Sequence, residues 1–299
     1  MKRNYLFGII VVLLITNIAT LIFWNSDGEN VVLDNNNKKI DSREPVATVG
    51  GEKISYEDWM NTLRKNQGQE QLQRMIDREI VQQLAEEQNI EISEKVIARE
   101  IALLTTMQGV MTQEETAQKK REWREDIIYR YQLGALLTSD VTIPEKKIRN
   151  YYKDYHEQYN FKASLQLSHI VVPDMKTAEK VIKELGNGAS FQILAKEYSL
   201  DEETKEEGGY LGFFVDYSKF LPEGYAEKAS KMKERTFREP FKSGKNVAII
   251  YLHRKLPDIK FSYQEIKPYI KRELALSKTN KNLDAKLLWN NLNVDWVYE

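Results

Sequence analysis

The chain has 299 residues, 41% of them apolar, enough to bury more than one modest core, so two domains are the expectation. Lysine and arginine total 44 against 45 aspartates and glutamates, and this near-neutral balance offers nucleic acid no electrostatic foothold. Cysteine is absent, which excludes disulfides, thiol nucleophiles and zinc fingers, and the three histidines (His156, His169, His253) are too widely spaced for a metal-ligand pattern.

A short basic stub, residues 1–4, precedes an apolar run from Tyr5 to Trp24. About twenty residues span a hydrocarbon core of roughly 30 Å, and Tyr5 and Trp24 stand where amphipathic aromatics prefer the interface. The run reads as a transmembrane anchor over residues 5–24, with Lys2 and Arg3 inside and Asp27 and Glu29 outside. A cleaved signal peptide is the competing reading, but no small-x-small site follows the run. Residues 25–44 are polar, include Asn35-Asn36-Asn37-Lys38-Lys39, and read as a flexible tether.

Pro45 to Ile54 reads as a strand and a tight turn at Gly50-Gly51, and Ser55 opens a helix with an acid three positions on. Helical spacing recurs in Leu72, Met75, Ile76, Ile80 and Leu84, in Val96, Ile97, Ile101 and Leu104 after Ser93, and in Trp123, Ile127, Ile128, Tyr131 and Leu136. Thr142-Ile143-Pro144-Glu145 starts one more helix, leading to Ile148, Tyr151, Tyr152, Tyr155 and Tyr159.

Ser164 to Val172 is a β-branched strand closed by Pro173, with Leu165, Leu167, His169 and Val171 on one face. An amphipathic helix follows from about Thr177, with Ala178, Val181, Ile182 and Leu185 inward and Gly186-Asn187-Gly188 to stop it. A short helix, Phe191 to Tyr198, runs into Ser199-Leu200-Asp201, an acidic loop, and Gly208-Gly209-Tyr210-Leu211-Gly212-Phe213. Phe220 to Met232, Glu239-Pro240 and the apolar run from Val247 to Leu252 come next. Ser262-Tyr263-Gln264-Glu265 then starts a helix reaching to about Trp289, and Asn293 to Tyr298 reads as a closing strand.

The order of strand, helix, short helix, Ser-x-Asp and Gly-Gly-x-Leu-Gly-Phe resembles the parvulin peptidyl-prolyl cis/trans isomerases, over roughly Phe161 to Leu256, with Phe220 to Met232 as the family's pocket-lining helix, Glu239-Pro240 as its Glu-Pro turn and Val247 to Leu252 as its last strand. The wider arrangement resembles the PrsA- and SurA-type extracytoplasmic foldases. The resemblance implies an α+β fold in which residues 45–160 and 259–299 form a mostly helical chaperone-like domain. A parvulin domain, residues 161–258, is inserted into it as a small antiparallel sheet flanked by helices. The apolar stripe Ile266, Ile270, Leu274 has nothing in its own segment to bury against, which agrees with such pairing.

A histidine in an apolar strand row is more often a satisfied core residue than a reactive one. The resemblance places His169 at the family's first active-site histidine and Asp201 where the family has Cys or Asp. Phe220 and Tyr225 match positions lining the proline pocket, and Leu211 is taken with them as substrate-binding. One departure stands out: Ala248 occupies the place of a second histidine, and His253 lies too far along the same strand to replace it.

Prolyl isomerisation breaks no covalent bond, so no cofactor or metal is expected. Pro173-Asp174-Met175-Lys176 offers no arginine pair, so no phosphate before proline is required. The expected function is a membrane-anchored, extracytoplasmic isomerase acting on unfolded or proline-containing polypeptides. The alternatives are a non-catalytic chaperone with a degenerate parvulin domain, favoured by Ala248, and a membrane scaffold recruiting one partner.

Overall fold

The computed structural model describes residues 30–32, 39–215, 220–279 and 282–298. The expected stub and anchor, residues 1–24, and most of the tether lie outside these. Among the described residues no helix is long and apolar enough to cross a membrane. The chain divides into two compact units, residues 1–77 with 295–299, and residues 78–294.

In the first unit, β1 (Asn30–Val32) pairs antiparallel with β2 (Lys39–Asp41), and β3 (Ala47–Val49) with β4 (Glu52–Ile54). Gly50 and Gly51 both carry positive φ, +58° and +94°, as a two-residue hairpin turn matched to strand twist demands. Ser55 caps α1 (Tyr56–Leu63), its hydroxyl accepting from the Asp58 N–H. A π-helical stretch, Arg64–Gly68, leads into α2 (Gln69–Glu87), whose residues from Arg78 onward belong to the second unit.

The second unit continues with α3 (Glu94–Thr106), α4 (Gln113–Leu137) and α5 (Glu145–Tyr155). A reciprocal capping box, Thr112 with Glu115, starts α4. Beyond a five-stranded sheet comes α9 (Tyr263–Thr279), and its stripe Ile266, Ile270, Leu274 is buried with Val96, Ala102, Ile148, Phe161 and Phe261 in one core. Segments on either side of the sheet thus share one interior. They are tied at their junction by Phe161 and Ile259, which exchange two backbone hydrogen bonds of 2.8 Å. In α4, Gly134 leaves room for Arg272, whose guanidinium lies 3.8 Å from the Tyr131 ring centroid.

The sheet is antiparallel throughout, ordered β6 (Tyr210–Val215), β5 (Ser164–Val172), β9 (Asn246–Leu256), β7 (Thr236–Phe237), with β8 (Phe241–Ser243) also on β9. Both faces are covered, so β9 reads as a continuous apolar run rather than an alternation. One face, with Ile170, Val172, Val247 and Ile249, packs on α6 (Met175–Gly186) and α7 (Phe191–Tyr198). The other, with Leu165, Leu167, Ala248, Ile250 and Leu252, packs on α8 (Tyr225–Ser230) and the residues beside it. The loop between α3 and α4, and the first turn of α4, are clamped to the sheet by buried polar groups. Gln166, 2% exposed, donates to the Gly109 carbonyl at 3.1 Å, and Arg254 donates to the Thr116 hydroxyl.

Three expectations are corrected. The last helix stops at Thr279, and a 3-10 helix, Ala285–Asn291, begins after Asp284, whose side chain accepts from the Lys286 N–H. Asn and Asp compete in this way with helical hydrogen bonding, and the segment restarts rather than continues. Residues 293–298 form no strand: no described strand pairs with them, and Val297 is 84% exposed. The helix expected from Phe220 to Met232 is only α8. Gly224, at φ +83° before Tyr225, sets its start, and Leu221 rather than Phe220 turns inward.

Candidate active site

The site is built around β5. His169, 4% exposed, faces the layer of α8 because alternation puts it on the side of Leu165 and Leu167. Its backbone N–H donates to the Gly209 carbonyl at 2.8 Å. Gly209 sits at φ +75°, and a Cβ there would lie 2.0 Å from the His169 carbonyl oxygen. The glycine pair therefore serves close approach: it lets the chain cross beside His169 before entering β6.

Asp201 follows α7. Ser199, 6% exposed, supports it, its hydroxyl accepting from the N–H groups of Val171 and Asp201 at 3.2 and 3.3 Å. From this turn the Asp201 Oδ2 lies 2.7 Å from His169 Nε2, and the Thr204 hydroxyl donates to the same oxygen. Thr204 Oγ1 is also 3.2 Å from Nε2. On the far side of the ring, His169 Nδ1 and the Tyr225 hydroxyl are 2.9 Å apart, with the two rings edge to face.

Charge follows burial. The imidazole of His169 is held below its ordinary pKa, because burial disfavours its cation more than neighbouring Asp201 favours it. Burial works to raise the Asp201 pKa, yet hydrogen bonds from Thr204 and His169 together outweigh it and leave the carboxyl below its usual range. The phenol of Tyr225 is pushed up by burial and by the Asp201 charge. At neutral pH the contact is a neutral imidazole N–H donating to a carboxylate rather than an ion pair.

Of the residues singled out from sequence, His169, Asp201 and Tyr225 come together, and Leu211 packs part-buried against the same apolar layer. Phe220 does not: it is 90% exposed, while Leu221, Tyr225, Ala229 and Met232 take the inward positions. Tyr225, expected as a pocket wall, is 1% exposed and bonded to the histidine. Ala248 is fully buried and pairs across from Val171, so no second imidazole stands beside the first. His253 bonds the Ser168 hydroxyl at 2.8 Å and takes no part in the cluster. Thr204 and Ser199 were not singled out for the site. Thr204 is the one uncharged residue between Asp201 and Gly208, close enough in sequence for its hydroxyl to reach the Asp201 carboxylate. Among the described residues no group of acids and histidines could hold a metal ion.

The profile of the PPIC-type PPIASE domain family matches residues 143–268. A Bacillus subtilis protein provisionally named peptidyl-prolyl cis-trans isomerase YacD is 35% identical over 258 residues, 86% of this chain and 86% of its own length. Foldase protein PrsA 1 of Bacillus cereus is 40% identical over 136 residues, 45% of this chain and 46% of that protein. The crystal structure of peptidylprolyl isomerase PrsA from Bacillus cereus shares 24% identity, covering 86% of this chain and 95% of that one with a TM-score of 0.33.

Two outcomes follow from this geometry. Gly209→Ala forces a methyl onto the His169 carbonyl at a positive φ, and denaturant unfolding should show a loss of about 2–4 kcal/mol. Burial also lowers the His253 pKa from 6.5 to about 4. The unfolded chain then binds a proton that the folded chain refuses, so stability falls as pH drops from about 6.5 to about 4 and levels off below. Denaturant melts across that window should show a shallower slope for His253→Gln than for the parent chain.

Proposed function

The chain belongs to the PPIC-type peptidyl-prolyl cis/trans isomerase family, and we propose that it isomerises Xaa-Pro bonds in exported polypeptides with Asp201 and His169 as its reacting site. The observation that carries this reading is the buried His169–Asp201 hydrogen bond of 2.7 Å in an apolar layer.

The barrier to rotation is loss of amide resonance, about 18–20 kcal/mol, and uncatalysed exchange takes tens of seconds or more. A planar amide carries partial negative charge on its carbonyl oxygen, and the twisted amide carries less. A carboxylate held beside that oxygen therefore disfavours the planar forms relative to the twisted one, which is differential stabilisation of the transition state. Asp201 is suited to this role because its hydrogen bonds keep it ionised while a quarter of its side chain reaches solvent (26% exposed). His169 holds the carboxylate in place. Leu211 and Leu221 supply apolar surface for the proline ring, Leu221 taking the part expected of Phe220. This chemistry uses no cofactor, and nothing in it calls for a phosphate on the client.

The core shared by Val96, Ile148, Ile266 and Ile270 supports the reading of residues 45–160 and 259–299 as a foldase body carrying residues 161–258 as its isomerase part. The apolar run 5–24, between Lys2-Arg3 and Asp27, supports a membrane anchor with the rest of the chain outside. Ala248 gave the reason to expect a binding module alone. Asp201, ionised and aimed by His169 and Thr204, favours catalysis instead.

The test is refolding of a small protein whose slow phase is set by one cis proline, with the full-length chain added. The parent should accelerate that phase. His169→Ala and Asp201→Ala should each lose roughly 10²-fold of the acceleration while still suppressing client aggregation. A slow phase left at its uncatalysed rate by a folded parent chain would remove the catalytic reading and leave the chaperone.

A further inference from the structure

His169 is closed to solvent, so both of its ring nitrogens need partners inside the protein. Nε2 faces Asp201 Oδ2 at 2.7 Å, and an ionised carboxylate can only accept, so Nε2 carries the proton. Nδ1 is then an acceptor with a bare lone pair, and the hydroxyl aimed at it, at 2.9 Å, belongs to Tyr225. The apolar cluster around that phenol contains Leu167, Leu221, Ala248 and Ile250, none of which has a side-chain polar atom to offer. From strand β9 this cluster receives the side chains of Ala248, Ile250 and Leu252, all fully buried and none with a polar atom.

We propose that Tyr225 is a positioning residue: its hydroxyl donates to His169 Nδ1, locks the tautomer and orientation of the ring, and so lets one histidine hold Asp201 where a second imidazole is absent. This rests on the isomerase reading of the same site. Its physical basis is that an imidazole gripped at one nitrogen can pivot about that bond, whereas one gripped at both cannot. The chain Tyr225–His169–Asp201–Thr204 is fixed at each end by an element of its own, α8 at one side and the turn after α7 at the other. The edge-to-face contact of the Tyr225 ring with Phe241, centroids 5.5 Å apart, holds the phenol in turn.

Tyr225→Phe removes one oxygen atom and keeps the apolar ring. A residue that only walls the proline pocket would not notice the change. A residue that positions His169 would leave a buried Nδ1 unsatisfied, and one hydrogen bond lost is about three- to tenfold in rate. With the full-length chain and a short Xaa-Pro peptide in NMR exchange, kcat should fall about three- to tenfold with KM within about twofold. With 15N-labelled histidine, the parent should show His169 as the Nε2–H tautomer with a hydrogen-bonded Nδ1. That Nδ1 signal should move downfield in the variant. An unchanged kcat in a folded Tyr225→Phe chain, or a change confined to KM, would overturn the proposal. So would an Nδ1–H tautomer in the parent, a reading that survives even if the variant does not fold. A parent chain with no isomerase activity would count against the catalytic reading, and the nitrogen spectrum alone would then judge the hold of Tyr225 on His169.

Discussion

A buried imidazole with both nitrogens paired is the constraint from which the rest of the sheet's arrangement follows. His169 is 4% exposed in a layer of leucine and isoleucine, where an unpaired nitrogen costs about 1–3 kcal/mol. Meeting its needs draws in three separate stretches of chain: the turn of Asp201, the helix of Tyr225 and the glycine pair before β6. Each carries a local device that makes it possible. Ser199 holds the Asp201 turn, Gly224 sets the start of α8, and Gly209 lacks the atom that would collide with the strand. Burial keeps the imidazole neutral, and the hydrogen bonds from Thr204 and His169 keep the carboxylate charged, which is the state the proposed mechanism needs.

The sheet and the helical core meet where β9 and the segment before β5 pass between them. β9 leaves the sheet at Leu256 and enters the helical core directly, since Leu256, Ile259 and Phe261 belong to that core. The paired Phe161 and Ile259 mark where the chain passes in and out. Gln166 ties the sheet to the α3–α4 loop and Arg254 ties it to the first turn of α4, and Gln166 lies on the same strand as His169.

Much of this was legible in the order of residues. The strand holding His169, the stripes of α6 and α9, the hairpin glycines and the Asp201 position all follow from periodicity, turn chemistry and resemblance. What failed did so for local reasons. Phe220 and Leu221 are adjacent and both apolar, and only the αL glycine at 224 and the sheet beneath decide which turns inward. The closing strand was read from β-formers alone, whereas a strand needs an edge to pair with. Thr204 was hidden in a run of charges. The bond of Tyr225 to His169 spans 56 residues of sequence, and no local pattern announces it.

The most direct test of a catalytic Asp201 is the exchange rate of an Xaa-Pro peptide, measured by NMR with Asp201→Asn in the full-length chain. This change keeps size and shape but removes the negative charge. A charge that disfavours the planar amide predicts a rate constant lower by roughly 10²-fold, with peptide affinity little altered. A rate equal to that of the parent would show that the carboxylate charge does not act on the prolyl bond, and the account of the site given by His169 and Asp201 would be wrong.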